Sequence, residues 1–242
     1  MKLLIAGAKE LQIPLKSEHL QAFQTYCQEL VAWNNKFNLT AITDYEGIQI
    51  RHFLDSISCL LALEKKGPLT DKQLIDVGTG AGFPGIPLKI MRPTIKLTLL
   101  ESTAKKVSFL NHITSLLGLH DVTIVNERAE TLGKNPEHRE KYDWAIARAV
   151  AEMPILAEYM LPFVKIGGCM LAQKGEHAPA EVQRAEWAIT QLGGHTKHLQ
   201  AVELHGLAET RYLVLINKIA ATPPQYARRP GMPSKRPLMP KE

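Results

Sequence analysis

The spacing of apolar positions changes part-way along this chain, and the change divides it. Leu20, Phe23, Tyr26, Cys27, Leu30 and Val31 recur at intervals of three and four. That spacing places them on one face of a helix running to Asn34, which Ser17 can cap. Ile50, Phe53, Leu54, Ile57 and Leu61 repeat the pattern in a second helix over 48–63, and Gly67-Pro68 breaks the chain after it. Beyond residue 70 the apolar runs shorten, falling at 73–77, 96–100, 122–125, 144–147, 169–172 and 212–216. Helical periodicity fills most of the gaps, at 85–91, 104–117, 154–163 and 179–191. Strand and helix in alternation build a mostly parallel sheet covered on both faces, an α/β fold. Gly118 and Gly167-Gly168 stand where helices should stop. The stretch 198–218 reads as two strands joined by a polar loop, a terminal antiparallel pair. The pattern predicts a helical cap over 1–70, an α/β domain over 71–220 and a tail over 221–242. That tail holds six prolines after Ala221 and should lack regular structure.

Composition narrows the class. A chain of 242 residues with 45% hydrophobic side chains can bury a sizeable core without disulfides. Cys27, Cys59 and Cys169 are far apart with no CxxC pair, the usage of reduced thiols in a cytosolic protein. No apolar run approaches the ~18 residues of a membrane helix, and the first ten residues lack a signal-peptide core and cleavage site. A cytoplasmic chain without membrane or metal is expected, and a monomer, since nothing demands a dimer.

Charge adds a candidate partner. The net charge is +5, and Arg228, Arg229, Lys235, Arg236 and Lys241 against Glu242 give the tail +4 of it. Residues 1–70 balance, with seven basic and seven acidic side chains. A basic, proline-rich tail either grips phosphates or is a solvated end.

The densest chemistry lies at 76–85. Asp76-Val77 ends the first predicted strand, and Gly78-Thr79-Gly80-Ala81-Gly82-Phe83-Pro84-Gly85 follows. Glycines there let the backbone bend sharply and let a ligand approach the main chain. Gly80-x-Gly82-x-x-Gly85 also fits the dinucleotide fingerprint, so the turn alone leaves the ligand open. Glu101 ends the second strand, 23 residues after Gly78, where a carboxylate accepts both ribose hydroxyls of an adenosine. Charge then favours a cationic donor over a pyrophosphate: Asp76 precedes the turn, and Pro84 and Pro87 remove amides that a pyrophosphate would need. The residues favour S-adenosylmethionine, with a nicotinamide-dependent oxidoreductase and a non-catalytic RNA-binding module as alternatives.

The run from Asp76 to Pro87 resembles the signature of the small-subunit (16S) ribosomal RNA guanine-N7 methyltransferase family, once called glucose-inhibited division protein B. The resemblance continues through Trp33-Asn34, Asn38-Leu39-Thr40 and His52-x-x-Asp55-Ser56. It includes Leu100-Glu101-Ser102, Lys105-Lys106, Ala147-Arg148-Ala149-Val150-Ala151, Gly167-Gly168, Lys174-Gly175, Tyr226 and Arg228-Arg229-Pro230-Gly231. Thr79 stands where many members carry another small residue, an exchange a backbone turn should tolerate.

The resemblance implies the class I, Rossmann-like methyltransferase sheet of seven strands, the last antiparallel. It implies that Gly78, Gly80 and Phe83 line the donor's amino-acid and ribose side and that Glu101, with Thr103 beside it, takes the ribose. Ala129-Glu130 would border the adenine, and Arg148 would face the donor pocket or the incoming base. It further implies 16S ribosomal RNA or the small ribosomal subunit as partner, with His52, Asp55, Arg148, Arg228 and Arg229 as candidate RNA contacts. His52 and Asp55 share a helix face, where a plain surface hydrogen bond is the competing reading.

No acid–base set stands out, and no catalytic residue is assigned. The segment after the fourth strand lacks the Asn/Asp-Pro-Pro-aromatic loop of exocyclic-amine enzymes, and Cys169 lies inside an apolar run. Guanine N7 bears a lone pair and no proton, so its methylation needs alignment and no general base.

Overall fold

The structure is a computed structural model that describes residues 1–148 and 150–240. Ala149 of the 147–151 match, and Lys241 and Glu242 of the tail, lie outside the described residues.

Helix α1 (Lys2–Glu10) leads to α2 (Ser17–Phe37). The α2 N-cap is Lys16, whose amide donates to His19 Nδ1 at 3.2 Å; Ser17 is already helical and caps nothing. The expected single helix over 48–63 is a broken one. Short α3 (Tyr45–Gly47) runs into a π-helical segment (Ile48–Leu54), then α4 (Asp55–Ser58) and α5 (Leu60–Leu63). Its π segment presents Ile48, His52, Phe53 and Leu54 inward together, a widening that π segments bring to functional sites.

Strand β1 (Gln73–Val77) is followed by α6 (Gly85–Met91), β2 (Lys96–Glu101), α7 (Ala104–Leu116), β3 (Val122–Asn126) and α8 (Ala129–Leu132). Then come β4 (Tyr142–Arg148), α9 (Met153–Met160), β5 (Val164–Lys174) and α10 (Ala178–Gln191). The hairpin β6 (Gly194–Val202) and β7 (Arg211–Lys218) completes the sheet, in the order β3-β2-β1-β4-β5-β7-β6, with β7 antiparallel to both neighbours. The expected terminal antiparallel pair is therefore present. Gly167-Gly168 does not end a helix; it lies inside β5, beside a register irregularity at Tyr142/Trp144.

Side chains alternate across the sheet as period-2 strands require. Leu74, Leu97, Leu99, Ile146, Leu171 and Leu215 join a core with Phe23, Leu30, Phe53 and Ile57, so the N-terminal helices share one core with the sheet. Ile75, Val77, Leu100, Ala145, Met170 and Ile216 face the other way, onto α9 and α10. Among the described residues no helix is long and apolar enough to cross a membrane.

The tail departs from expectation. It contains a helical turn, α11 (Met232–Lys235), and its apolar side chains pack: Ala227 is fully buried, and Leu238 joins the α9–α10 core. Arg139 holds it with guanidinium bonds to the carbonyls of Thr222 and Tyr226 at 2.7 and 2.6 Å.

Candidate functional site

The strand order reverses between β1 and β4, and ligands of open α/β sheets bind outside the carboxyl ends of the strands at such a switch. The glycine turn leaves β1 there, and Arg148 ends β4 beside it.

The turn is fastened from within. Asp76 is fully buried, and its Oδ2 accepts from the Thr79 hydroxyl at 2.6 Å and the Gly85 amide at 2.8 Å. Thr79 thus does more than fill the turn: its buried hydroxyl ties the turn to β1, so only an exchange that keeps a hydroxyl is free. The amides of Gly78 and Thr79 donate to the Leu100 carbonyl, and those of Gly82 and Phe83 to the Thr79 carbonyl. With Gly80 N on Glu101 Oε2 at 3.0 Å, few amides remain to cradle a pyrophosphate. Gly78 and Gly80 take positive φ, and a Cβ at Gly80 would meet open space, so the main chain is bare there. Glu101 also accepts the Thr103 amide at 2.8 Å, which joins the turn to the start of α7.

Asp76 Oδ1 is buried without a partner, and burial pushes the carboxyl up to about 7. An orphaned carboxyl oxygen that a nearby cation would hold ionised, and a bare main chain, suit a cationic nucleoside better than a phosphate, so these residues fit S-adenosylmethionine. A cavity on the β1–β2–β3 side is lined by Gly78, Ser102, Arg128, Ala129, Glu130 and Tyr159. Thr103, at the α7 N-cap, is exposed nearby.

On the other side of Arg148 lies a cavity of about 310 Å³, lined by Arg51, His52, Asp55, Gln173, Lys174 and Arg211 among others. His52 and Asp55 are both buried, so neither is a helix-surface pair. They meet through Arg148: its Nη1 donates to Asp55 Oδ2 at 3.1 Å and to the Arg51 carbonyl at 2.8 Å, and its Nη2 to His52 Nδ1 at 3.0 Å. That leaves the proton on His52 Nε2, which donates to Thr40 Oγ1 at 2.9 Å. His52 stacks on Phe83 with centroids 4.3 Å apart, and the Arg148 guanidinium lies 5.1 Å from the same ring. Burial, then the Arg148 charge, lowers His52 to about 3, so it is neutral at physiological pH and a poor base.

The tail arginines separate. Arg228 Nε and Nη2 donate to the fully buried Glu158 carboxylate at 2.9 and 2.6 Å, a structural ion pair. Arg229 is exposed and is the one of the pair that faces solvent. Cys169 is buried against Lys66 and Asn217. Sequence reasoning did not find Gln173 or Arg211, which touch Asp55 from β5 and β7, nor Tyr26, whose hydroxyl donates to the Ala81 carbonyl. A polar residue closing an otherwise apolar strand, as Gln173 does after Ala172, was the available signal.

Known proteins share this chain's sequence and its fold. The profile of the family described as rRNA small subunit methyltransferase G matches residues 19–210. The ribosomal RNA small subunit methyltransferase G of Dehalococcoides mccartyi is 49% identical over 239 residues, covering 99% of this chain and 100% of that protein. The protein of the same name from Alkaliphilus metalliredigens is 47% identical, covering 96% of each chain. Among solved structures, precorrin-6y C5,15-methyltransferase from Geobacter metallireducens superposes with a TM-score of 0.51 at 15% identity, over 67% of this chain and 88% of that one. A 16S rRNA (adenine(1408)-N(1))-methyltransferase variant from Catenulisporales acidiphilia, solved with S-adenosylmethionine, gives 0.51 at 13% identity, over 64% and 88%. These likenesses show the class I methyltransferase fold, and the sequence match shows the family. The chain belongs to the rRNA small subunit methyltransferase G family and is an S-adenosylmethionine-dependent methyltransferase.

Proposed function

We propose that this chain methylates N7 of a guanine in 16S ribosomal RNA, in the cytoplasm where that RNA is assembled, with the guanine in the Arg148–Asp55 cavity. The observation that carries the reading is the position of Arg148, which lines that cavity at the end of β4 while the next described residue, Val150, lines the donor-side cavity. S-adenosylmethionine supplies an electrophilic methyl on a sulfonium. The chain's own residues align and desolvate. Gly78, Gly80 and Phe83 receive the donor against the bare turn, Glu101 and Thr103 take its ribose side, and Ala129 and Glu130 its base. Beside a bound sulfonium, Asp76 favours its ionised form, whose Oδ1 then offers a negative field to the cationic end.

On the acceptor side, neutral His52 withdraws no proton, and N7 has none to lose. Arg148 Nε has no partner among the described residues and is free to donate to guanine O6, which leaves the N7 lone pair exposed to the methyl. Asp55 acts through Arg148, fixing its guanidinium. Arg51, Arg211 and exposed Arg229 supply positive charge for the phosphate backbone, whose contacts position without specifying sequence.

The test is to incubate the protein with labelled donor and 16S RNA or small subunits and to map the product by mass spectrometry. Label on guanine N7 is expected. Label on an exocyclic amine or a ribose hydroxyl would overturn the acceptor assignment. Thermal shift with S-adenosylmethionine and with NAD should show stabilisation by the first alone, since a ligand of the native state raises stability by mass action.

A further inference from the structure

The C-terminal segment, which its composition reads as either a phosphate grip or a solvated end, is fastened to the wall of the donor-side cavity. Two of that cavity's lining residues are held by it. The Gly231 amide donates to Glu130 Oε1 at 2.8 Å, and the Tyr159 hydroxyl and Ser234 Oγ share a hydrogen bond at 2.8 Å. Upstream, the Arg228 amide and guanidinium close on Glu158, one residue before Tyr159 on α9. Downstream, Leu238 buries its side chain in the same core as Val77 and Leu100, which also line the cavity.

Among the described residues, the one hydrogen bond to the Glu130 carboxylate comes from the tail, and Glu130 is 3% exposed. Its orientation depends on the Gly231 amide, and that amide's direction depends on a left-handed backbone, φ 78°, which favours glycine. A Cβ added at Gly231 meets nothing within 4 Å, so replacing it strains the strap without a clash.

We infer that residues 228–238 form a strap that positions Glu130 and Tyr159 in the donor site, so that Gly231 and Ser234 are positioning residues for S-adenosylmethionine and not RNA contacts. The inference rests on the reading of that cavity as the donor's. It has a reciprocal consequence: if the strap orders the donor pocket, bound donor orders the strap by the same free energy.

Two measurements test it. Donor affinity is read by calorimetry for the wild type, Gly231→Ala and Ser234→Ala, alongside KM for RNA. Each variant should weaken donor binding about fivefold, about 1 kcal/mol, with RNA KM unchanged. In the second measurement, trypsin attacks the full wild-type chain with and without S-adenosylmethionine. Arg228 and Lys235 are the basic residues of 222–240 not followed by proline, and saturating donor should slow cleavage there about fivefold. Unchanged donor affinity with unchanged cleavage overturns the strap, as does a rise in RNA KM without loss of donor affinity. A wild type that binds no S-adenosylmethionine would instead remove the donor-site reading itself.

Discussion

The two sides of the switch between β1 and β4 are built by opposite means. In the glycine turn of the donor side, the side-chain bonds at Asp76 and Glu101 join residues close in sequence: Thr79 and Gly85 reach Asp76 across 3 and 9 positions, and Gly80 reaches Glu101 across 21; the Tyr26 hydroxyl on the Ala81 carbonyl, across 55, is the exception. On the acceptor side, Arg148 reaches Asp55, His52 and Arg51 across 93, 96 and 97 positions, and Gln173 reaches Asp55 across 118. The bonds at Asp76 and Glu101 need only β1, β2 and the starts of α6 and α7. The acceptor cavity exists only once the N-terminal helices have docked on the sheet, and every such long closure costs chain entropy. Perturbation should therefore dismantle the acceptor cavity first and leave the donor turn standing.

Arg148→Ala is the sharpest way to break that comparison. Asp55 is 3% exposed, so removing its guanidinium leaves a buried carboxylate without its closest cation. Breaking a pair of this kind costs about 3 kcal/mol, which chemical denaturation would read directly. Methyl transfer should fall about 100-fold, the equivalent of ~2.7 kcal/mol at the transition state. Donor affinity should change far less. Equal losses in donor binding and transfer would show that the two sides are one unit.

The pH dependence of stability separates the sides next. Asp76 on the donor side is raised to about 7 in the fold, so the folded state holds a proton that the unfolded chain has released; its contribution is present below about 4 and lost as pH rises through 7. His52 on the acceptor side is lowered to about 3, so its contribution is present above about 6.5 and lost as pH falls toward 3. Between pH 4 and 6.5 the two tilt stability in opposite directions, each by up to about 1.4 kcal/mol per pH unit. Relative to the wild type, Asp76→Asn should gain stability as pH rises through this window, and His52→Gln should lose it. Urea midpoints at pH 4.5, 5.5 and 6.5 measure both, and slopes of the same sign in the two variants would contradict the assignment.

The same contrast explains what could be read from the sequence. Strand positions, the glycine turn and Glu101 were legible because period-2 runs and clustered glycines report local geometry. The expected strands at 73–77 and 212–216 lie within β1 and β7. The Arg148 cluster was not legible from spacing, because partners some 95 positions apart leave no periodic trace; only the family resemblance pointed to Arg148. The tail misled for a related reason. Its prolines and charges describe solvated chain, whereas Arg228 is consumed by Glu158, whose burial on α9 no local pattern announces. The helix over 48–63 kept its apolar stripe but is broken by a π segment at Ile48–Leu54, which the apolar spacing does not announce.

Thr79 gives the smallest and most local test. Its hydroxyl is one of two donors to Asp76 Oδ2, the other being the Gly85 amide, and both lie inside the turn. Thr79→Ser keeps the donor and should cost less than about 0.5 kcal/mol. Thr79→Val keeps the shape and removes the donor, which should cost about 1–2 kcal/mol because a buried acceptor loses half its partners. If the glycine turn is separable from the acceptor cavity, as its short-range bonds describe, the Val variant should weaken S-adenosylmethionine binding several-fold while leaving the RNA KM unchanged. An RNA KM that rose with it would mean that strain in the turn passes through Phe83 to His52 and Arg148, which stack on that ring. The two sides would then be coupled through one aromatic side chain.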